Sequence, residues 1–408
     1  MKLQTFRRKT YEQKYWWAWS DTCCINKGDK EVHARSLRSM YTWYSRSSLT
    51  IVHLRDVDLP LEIDPSTWDQ VWDYLLESFK DCRWNHRAWT LQEYVASGVI
   101  HFYTKDWKPY LPIMDHYSGR DANLTNHKNH FAIQRGMELA TGLSARDLKP
   151  EHMHVRQKLR LASNRTAKFK EDIAYSLQGI FGIHVPWEYG HDVEPHTLGR
   201  LLEMLLNKSS DPSILAWTGG EPSAYNTCLP SEIAVYRDVD PFFDVDPPPA
   251  LTEATRMLTV PGDLSPVELY KRLDELGPPV LNNGRLTLPC IYFLLPPRAL
   301  DHISSGHVIT VPPHGEVESG TKVELSGEKK QLVVFPWYHW FRDLPDLGNS
   351  NDSALRLLTS LRQGFRPLFL EGRFRYKRIA HEKRIVVRIR EDISVQQLLE
   401  NTDKLYVN

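Results

Sequence analysis

One stretch, residues 86–103, decides the fold: His86-Arg87-Ala88-Trp89-Thr90-Leu91-Gln92-Glu93-Tyr94-Val95, followed by Ala96-Ser97-Gly98 and the apolar run Val99-Ile100-His101-Phe102-Tyr103. Its first half is compatible with a helix, Ser97-Gly98 predicts the end of that helix, and the apolar run predicts a short strand. Trp89 and Glu93 stand four residues apart and therefore share one helix face.

Glu93 is a candidate functional residue because of this setting. A carboxylate beside an indole, close to the end of a strand, is a candidate for a partly desolvated acid with a chemical role. The same spacing also fits a buried Trp89 followed by an ordinary, solvated Glu93, since charged residues commonly flank buried aromatic ones. The spacing alone leaves both interpretations open.

Strand and helix patterns alternate on the N-terminal side of this stretch. The predicted elements are, in order, an aromatic strand over 15–25, a helix over 30–44, a strand over 50–54 and a helix that Asp64-Pro65 opens. The first of these strands would carry Asp21 at its end. Together with residues 86–103 the order is strand, helix, strand, helix, helix, strand. That order predicts an α/β domain with a largely parallel sheet and flanking helices.

The remainder of the chain divides into a helical and a β-rich part. Helical patterns over 152–162, 170–181 and 195–206 predict a helical extension, so that a first domain spans 1–218. A proline-rich stretch predicts a linker over 219–250. Short β-like runs then predict a mostly β C-terminal domain over 251–408, in which 373–379 and 384–390 would form a hairpin.

The composition restricts the class of protein. The 408 residues are 41 % hydrophobic, which is enough for real cores, and 51 basic side chains balance 51 acidic ones. No overall charge therefore attracts the chain to nucleic acid or to an anionic membrane, and no apolar run is long enough to span a bilayer. The five cysteines form no CxxC pair, which favours a reducing compartment. We expect a cytoplasmic protein.

Several motifs of enzymes and metal sites are absent from the sequence. It contains no GxSxG, HExxH or GxGxxG pattern, so hydrolase, zinc-protease and dinucleotide-fold interpretations lack their signatures. His152-Met153-His154 has the spacing of a metal site but no partner cluster, and solvated histidines are far commoner. We predict no metal site.

Four blocks of sequence resemble the fungal heterokaryon-incompatibility (HET) domain. They stand in the family's order and lie between about Tyr15 and Trp217: Trp19-Ser20-Asp21-Thr22-Cys23-Cys24-Ile25-Asn26-Lys27, Ser39-Met40-Tyr41-Thr42-Trp43-Tyr44, Arg87-Ala88-Trp89-Thr90-Leu91-Gln92-Glu93, and Ala162-Ser163-Asn164-Arg165-Thr166 with the helix that follows it. The resemblance implies a fungal source, a role in non-self recognition and programmed cell death when incompatible cells fuse. Nothing before Tyr15 matches the block with which the family usually begins. We therefore expect that the first family strand is missing.

HET domains resemble, remotely, Toll/interleukin-1 receptor (TIR) domains, which have a flavodoxin-like fold and of which some cleave NAD. This resemblance implies a TIR/flavodoxin-like parallel sheet in the first domain. It also implies that Glu93 is the catalytic carboxylate, that Trp89 packs the pocket wall, that Arg87 holds a phosphate and that Asp21 faces the same cleft. NAD would then be the substrate, and no other cofactor is implied.

Three hypotheses about function follow from the resemblance. The first is a HET-type signalling module that acts by binding other protein subunits, or by self-association, through its α/β domain and needs no catalysis. The second is a TIR-like NAD glycohydrolase that uses Glu93. The third is an inert, truncated copy. None of them involves nucleic acid, a membrane span or a metal.

Overall fold

The computed structural model of the chain describes residues 2–58, 68–111, 126–144, 148, 153–190, 194–237, 264–295, 308–311, 330–337, 354, 357–358, 361, 365, 367–373, 375–379, 386–389 and 393–408. The chain forms two compact units, Met1–Tyr189 and Gly190–Asn408, called unit 1 and unit 2 below. The domain boundaries at 218 and 250 that the composition suggests stay a prediction.

Unit 1 is mostly helical, with two strands. Its helices are Lys2–Glu12 (α1), Asp21–Cys24 (α2), Lys30–Arg46 (α3), Trp68–Lys80 (α4), Arg83–His86 (α5), Thr90–Ala96 (α6), Phe131–Thr141 (α7), Val155–Ala162 (α8) and Glu171–Phe181 (α9), with a 3-10 turn at His127–Asn129. Its strands are Thr50–His53 (β1) and Ile100–Tyr103 (β2). The helices predicted from periodicity over 30–44 and 170–181 are therefore present, within two residues at each end.

The two strands pair in parallel, as the order of elements predicts. Thr50 lies opposite Ile100, and His53 lies opposite Tyr103. Among the described residues, side chains and a loop meet the other edge of β2. The backbone N–H of Ile100 donates to Asn126 Oδ1 at 3.1 Å, and that of Phe102 donates to His127 Nδ1 at 3.0 Å. These bonds satisfy two edge amides of β2.

One expectation about unit 1 needs correction. Residues 15–25 do not form a strand, because the segment ends in the short helix Asp21–Cys24 and Trp16 and Trp17 are 81 % and 92 % exposed. The aromatic content favoured a strand, but β-propensity reflects packing that this segment does not have. Within the described part of unit 1 the sheet consists of β1 and β2, which shows a mixed α/β unit, and the TIR/flavodoxin-like sheet stays a prediction. The helix start at Asp64-Pro65 lies outside the described residues.

Helices α3 and α9 approach closely where α9 carries Gly179. A Cβ atom at this position would lie 2.2 Å from Cβ of Tyr41, closer than packed carbon atoms can come. We expect Gly179→Ala to push the two helices apart and to lower the stability of unit 1 by about 2 kcal/mol. Hydrogen exchange of the α3 and α9 amides measures this effect. Gly98→Ala is the control, because nothing lies within 4 Å of its added Cβ, and equal effects of the two changes would contradict the argument.

Unit 2 contains most of the β-structure. Its strands are Val280–Asn282 (β3), Arg285–Leu295 (β4), Val308–Val311 (β5), Lys330–Pro336 (β6), Leu368–Gly372 (β7), Tyr376–Arg378 (β8), Val386–Ile389 (β9) and Thr402–Val407 (β10). Its helices are Glu194–Ser209 (α10), Pro266–Leu276 (α11) and Val395–Glu400 (α12), with 3-10 turns at Pro212–Leu215 and Ile233–Arg237.

Five strands of unit 2 close into a ring, in the order β4, β6, β7, β8, β10 and back to β4. Closure is possible because β4 is eleven residues long and pairs with β10 through its first part and with β6 through its second part. One apolar cluster includes Phe293, Phe335 and Phe369 from three of these strands, all buried. The mostly β character of this part of the chain is confirmed.

The predicted hairpin over 373–379 and 384–390 is wrong. Strand β8 pairs with β7 and β10, whereas β9 pairs in parallel with β5. Two adjacent β-like runs with a turn between them predict a hairpin from local pattern alone. The partners of each strand are set by long-range contacts, which that pattern does not contain.

Candidate functional site

The site around Glu93 is built where α5, α6 and the loop between them meet. Thr90 is fully buried at the start of α6, and its hydroxyl lies 2.5 Å from the carbonyl oxygen of Trp84 and 2.8 Å from that of Arg87. This contact folds the loop back on α5. One helical turn further on, Glu93 Oε2 accepts a hydrogen bond from Trp84 Nε1 at 2.9 Å.

Trp84, the partner of Glu93, is held firmly in the core of unit 1. Its indole is 7 % exposed and makes edge contacts with Tyr94 and Phe102, with ring centroids 6.2 and 5.4 Å apart. Aromatic pairs in this arrangement add to the stability that burial provides. The indole N–H therefore reaches Glu93 from a fixed position.

A buried arginine also lies beside Trp84. Arg165 is 4 % exposed, and its guanidinium lies 5.9 Å from the centre of the Trp84 ring. It donates to the carbonyl oxygens of Arg87 at 3.0 Å and Leu161 at 3.3 Å, and to the hydroxyl of Thr90 at 2.8 Å. Burial lowers the pKa of Arg165 to about 10, so the group stays charged at neutral pH.

The electrostatic setting of Glu93 has opposing parts. Its side chain is half-buried, and this desolvation raises the pKa of the carboxyl above its ordinary value. The hydrogen bond from Trp84 and the charge of Arg87 act in the opposite direction and favour the carboxylate, while the charge of Asp21 favours the protonated acid. Glu93 is thus a carboxyl whose charge depends on specific neighbours, which is a property of many functional acids.

The structure brings three of the four predicted site residues into one electrostatic neighbourhood. Asp21 begins α2 and Arg87 follows α5, and the charges of both affect the pKa of Glu93 and of Tyr44. Trp89 belongs to a different contact, since its side chain hydrogen-bonds the Asp172 carboxylate. The indole beside Glu93 is therefore that of Trp84. The binding and catalytic roles assigned to the four residues stay predictions.

The reasoning from sequence missed Trp84 and Arg165 as members of this site. Arg165 stands in the fourth block of the family resemblance, so a signal for it was present. Trp84 lies nine residues before Glu93, a separation at which no single helix brings two side chains together. Only the bend after α5 places its indole at the carboxylate.

Glu93 does not line either of two surface hollows in the described part of unit 1. One, of about 690 Å³, lies along the first two turns of α3, and the other, of about 950 Å³, lies beside α1 and residues 15–18. Across the described ranges no group of three or more His, Cys, Asp or Glu side chains is arranged to hold a metal ion. None of the described helices is both long and apolar enough to cross a membrane.

His127, at the edge of β2, gives a pH-dependent prediction. Burial, together with the nearby His101 and His130, lowers its pKa from 6.5 to about 3. Its Nδ1 is unprotonated, since it accepts the N–H of Phe102. The unfolded chain binds this proton below pH 6.5 and the folded chain does not, so stability falls as the pH drops from 6.5 towards 3. The expected slope approaches about 1.4 kcal/mol per pH unit.

His127→Asn tests this argument, because Asn Oδ1 can accept the same hydrogen bond and cannot be protonated in this range. The variant should lose most of the acid-side slope of stability, measured by hydrogen exchange of β2 between pH 6.5 and 4 (about the window set by the two pKa values). His86→Asn, at an exposed position, is the matched control. An unchanged slope in His127→Asn would show that other groups cause the acid sensitivity.

A comparison with known proteins finds one relative for part of the chain. Over 190 residues, 46 % of this chain, the sequence is 29 % identical to the Vegetative incompatibility protein HET-E-1 of Podospora anserina. The chain spans 12 % of the length of that protein. No family model matches the chain, and no solved structure matches it. The chain is thus similar, over slightly less than half its length, to a small part of an incompatibility protein.

Proposed function

We propose that this chain acts in vegetative (heterokaryon) incompatibility of a fungus, as an interaction and signalling module for non-self recognition and cell death. The observation that carries the proposal is the 29 % identity to HET-E-1 over 190 residues. The four blocks that resemble the HET domain lie between Tyr15 and Trp217. The module would bind other protein subunits, or a second copy of itself, through unit 1.

The geometry of unit 1 supports a role in binding rather than in catalysis. Glu93 is engaged by the indole of Trp84, so that its carboxylate has a structural partner already. Trp16 and Trp17, in contrast, are 81 % and 92 % exposed, with Tyr11 at 63 % beside them. Tryptophan and tyrosine are enriched in protein interfaces, and exposed clusters of them commonly mark a binding surface.

A second candidate function is hydrolysis of NAD to ADP-ribose and nicotinamide. It is favoured by the neighbourhood of Glu93, where Asp21 and Arg87 influence the same half-buried carboxyl. In this proposal the ionised Glu93 stabilises the positive charge that develops on the ribose as nicotinamide leaves, and water takes its place. Arg87 would hold a phosphate, Asp21 would face the same cleft, and Trp89 would pack the wall of the pocket. This second candidate function assumes that the fold is related to that of TIR domains.

Glu93→Gln separates the two functions. The amide oxygen of the glutamine can still accept the Trp84 N–H, so the fold should be kept, but the negative charge is removed. If the chain is a binding module, we expect the variant to kill cells of a fungal host as well as the wild-type chain does, with the same NAD levels. If the chain is an NAD glycohydrolase, the variant should release nicotinamide at least about 100-fold more slowly than the wild type.

A second variant in the same experiment tests the binding surface. Trp16→Ser combined with Trp17→Ser should reduce both cell death and self-association or partner association, measured by sedimentation of the purified chain. Tyr74→Ser, at another exposed aromatic position, is the control. Full activity of the double variant, or loss of toxicity in Glu93→Gln alone, would contradict the proposed module. If the wild-type chain neither kills cells nor consumes NAD, only the hypothesis of an inert copy remains.

A further inference from the structure

The hollow of about 690 Å³ in unit 1 has the composition of a ligand site. One wall is the first two turns of α3, which contribute Lys30, His33, Arg35 and Arg38. Trp187 and Tyr189, in the segment that follows α9, also line it, and the Trp187 ring lies edge-on to that of His33 with centroids 6.4 Å apart. The size lies within the range of small-molecule pockets, which is about 300 to 1,000 Å³. We call this hollow the α3 hollow.

The charge in the α3 hollow is mainly positive. Lys30, Arg35 and Arg38 line it, against the single carboxylate of Glu31. Within the described residues none of these three cations has a carboxylate oxygen within 4.0 Å. Three basic groups that converge on a concave surface attract an anion with several charges, and the arginines can bind a phosphate through two parallel hydrogen bonds.

The aromatic wall of the α3 hollow is held in place from behind. Trp187 stacks on Tyr175 of α9, with ring centroids 4.1 Å apart and planes 24° from parallel. The hydroxyl of Tyr175 donates to the carbonyl oxygen of Glu188 at 2.5 Å and accepts the N–H of the same residue at 2.8 Å. The loop that carries Trp187 is therefore fixed by one buried tyrosine before any ligand binds, which reduces the entropy lost on binding.

Tyr189 and Arg38 are positioned by bonds of their own. Tyr189 donates its hydroxyl proton to Asp172 Oδ1 at 2.6 Å, and its ring lies edge-on to Trp187 with centroids 5.3 Å apart. Arg38 Nη1 lies 3.3 Å from His184 Nε2. Contacts within unit 1 thus hold Tyr189 and Arg38 in position, and both side chains line the α3 hollow.

We propose that the α3 hollow binds a nucleoside phosphate, with the base against Trp187 and Tyr189 and the phosphates on Lys30, Arg35 and Arg38. A planar heteroaromatic ring joined to a multiply charged anion matches a hollow that both aromatic and basic side chains line. Aromatic stacking of a base adds affinity, and phosphate contacts add a component that weakens with salt. The site is independent of any role of Glu93.

The test is titration of the purified full chain with ADP, followed by calorimetry. We expect one ADP per chain, with an affinity that falls as the salt concentration rises. Adenosine alone and pyrophosphate alone should each bind at least tenfold more weakly, because each occupies one wall. Arg35→Glu, at an exposed position, should weaken ADP binding at least tenfold. Trp187→Leu should weaken ADP binding and leave pyrophosphate binding unchanged.

Arg46→Glu is the matched control for Arg35→Glu, because it makes the same change of charge in the same helix, beyond the residues that line the hollow. It should bind ADP as the wild type does. Equal weakening by Arg35→Glu and Arg46→Glu would overturn the proposal, since it would show a general charge effect. Pyrophosphate binding as tightly as ADP, tighter binding of a single-stranded oligonucleotide, or no ADP binding at millimolar concentration would overturn it too.

Discussion

Arg165→Met is expected to lower the stability of unit 1 by about 3 kcal/mol, one of the two largest effects of any single change considered for this chain. Methionine can fill part of the volume and keep an apolar contact with Trp84. It cannot donate hydrogen bonds, so the carbonyl oxygens of Arg87 and Leu161 lose a buried donor. A buried acceptor that loses its partner costs about 1 to 3 kcal/mol. The Leu161 carbonyl loses the Arg165 donor, and the Arg87 carbonyl keeps only the hydroxyl of Thr90, which itself loses the hydrogen bond from Arg165.

Hydrogen exchange of the α5 and α6 amides measures this effect in the full chain. A loss of about 3 kcal/mol corresponds to exchange faster by about two orders of magnitude. Arg135→Met is the matched control, since the Arg135 side chain is 57 % exposed and its ion pair with Glu138 lies at the surface. It should change stability by less than about 0.5 kcal/mol. If the two variants behave alike, the buried guanidinium does not stabilise the loop as argued.

Arg378→Met should have a comparable effect on unit 2. The guanidinium of Arg378, on β8, is buried and lies 3.8 Å from the centre of the Trp217 ring. It donates to the carbonyl oxygens of Leu215, Trp217 and Cys228. These contacts attach the segment after α10 to the ring of five strands. We expect a loss of about 3 to 5 kcal/mol, because a cation–π contact and three carbonyl partners disappear together.

The measurement for Arg378→Met is hydrogen exchange of the β7, β8 and β10 amides. Arg375→Met removes the same group from an exposed position three residues earlier, and it should leave these amides protected as in the wild type. Protection that is lost equally in both variants would mean that the arginine acts through surface charge. Protection that is kept in both variants would mean that other contacts attach the segment from 212 to 230 to the ring of five strands.

The predictions from sequence succeeded where a pattern repeats over several turns or residues. Helices α3 and α9 have apolar residues at helical spacing, so each was located within a few residues. The strand predicted over residues 15–25 is wrong, because that prediction relied on composition. Its tryptophans favour a strand by composition, yet two of them face solvent, and composition does not record whether a partner surface exists.

The candidate site also combines residues that the sequence predicts with a contact that it does not predict. Glu93, Arg87 and Asp21 were selected from sequence, and they lie within electrostatic reach of one another. The partner of Glu93 was not predicted correctly. The sequence pairs Glu93 with Trp89 through helical spacing, whereas the carboxylate binds the indole of Trp84 because the chain turns between α5 and α6.

The sequence by itself therefore determined helices α3 and α9 and the β-rich character of the C-terminal half, because each depends on side chains that are neighbours along the chain. The alternation of strand and helix patterns predicted the parallel order of β1 and β2. Tertiary structure alone decided the ring of five strands, the burial of Arg165 and Arg378, and the meeting of α3 with residues 187–189 at the α3 hollow. The physical reason is that these features join groups far apart in sequence. Their energies depend on burial and on partners, and neither is written in local periodicity.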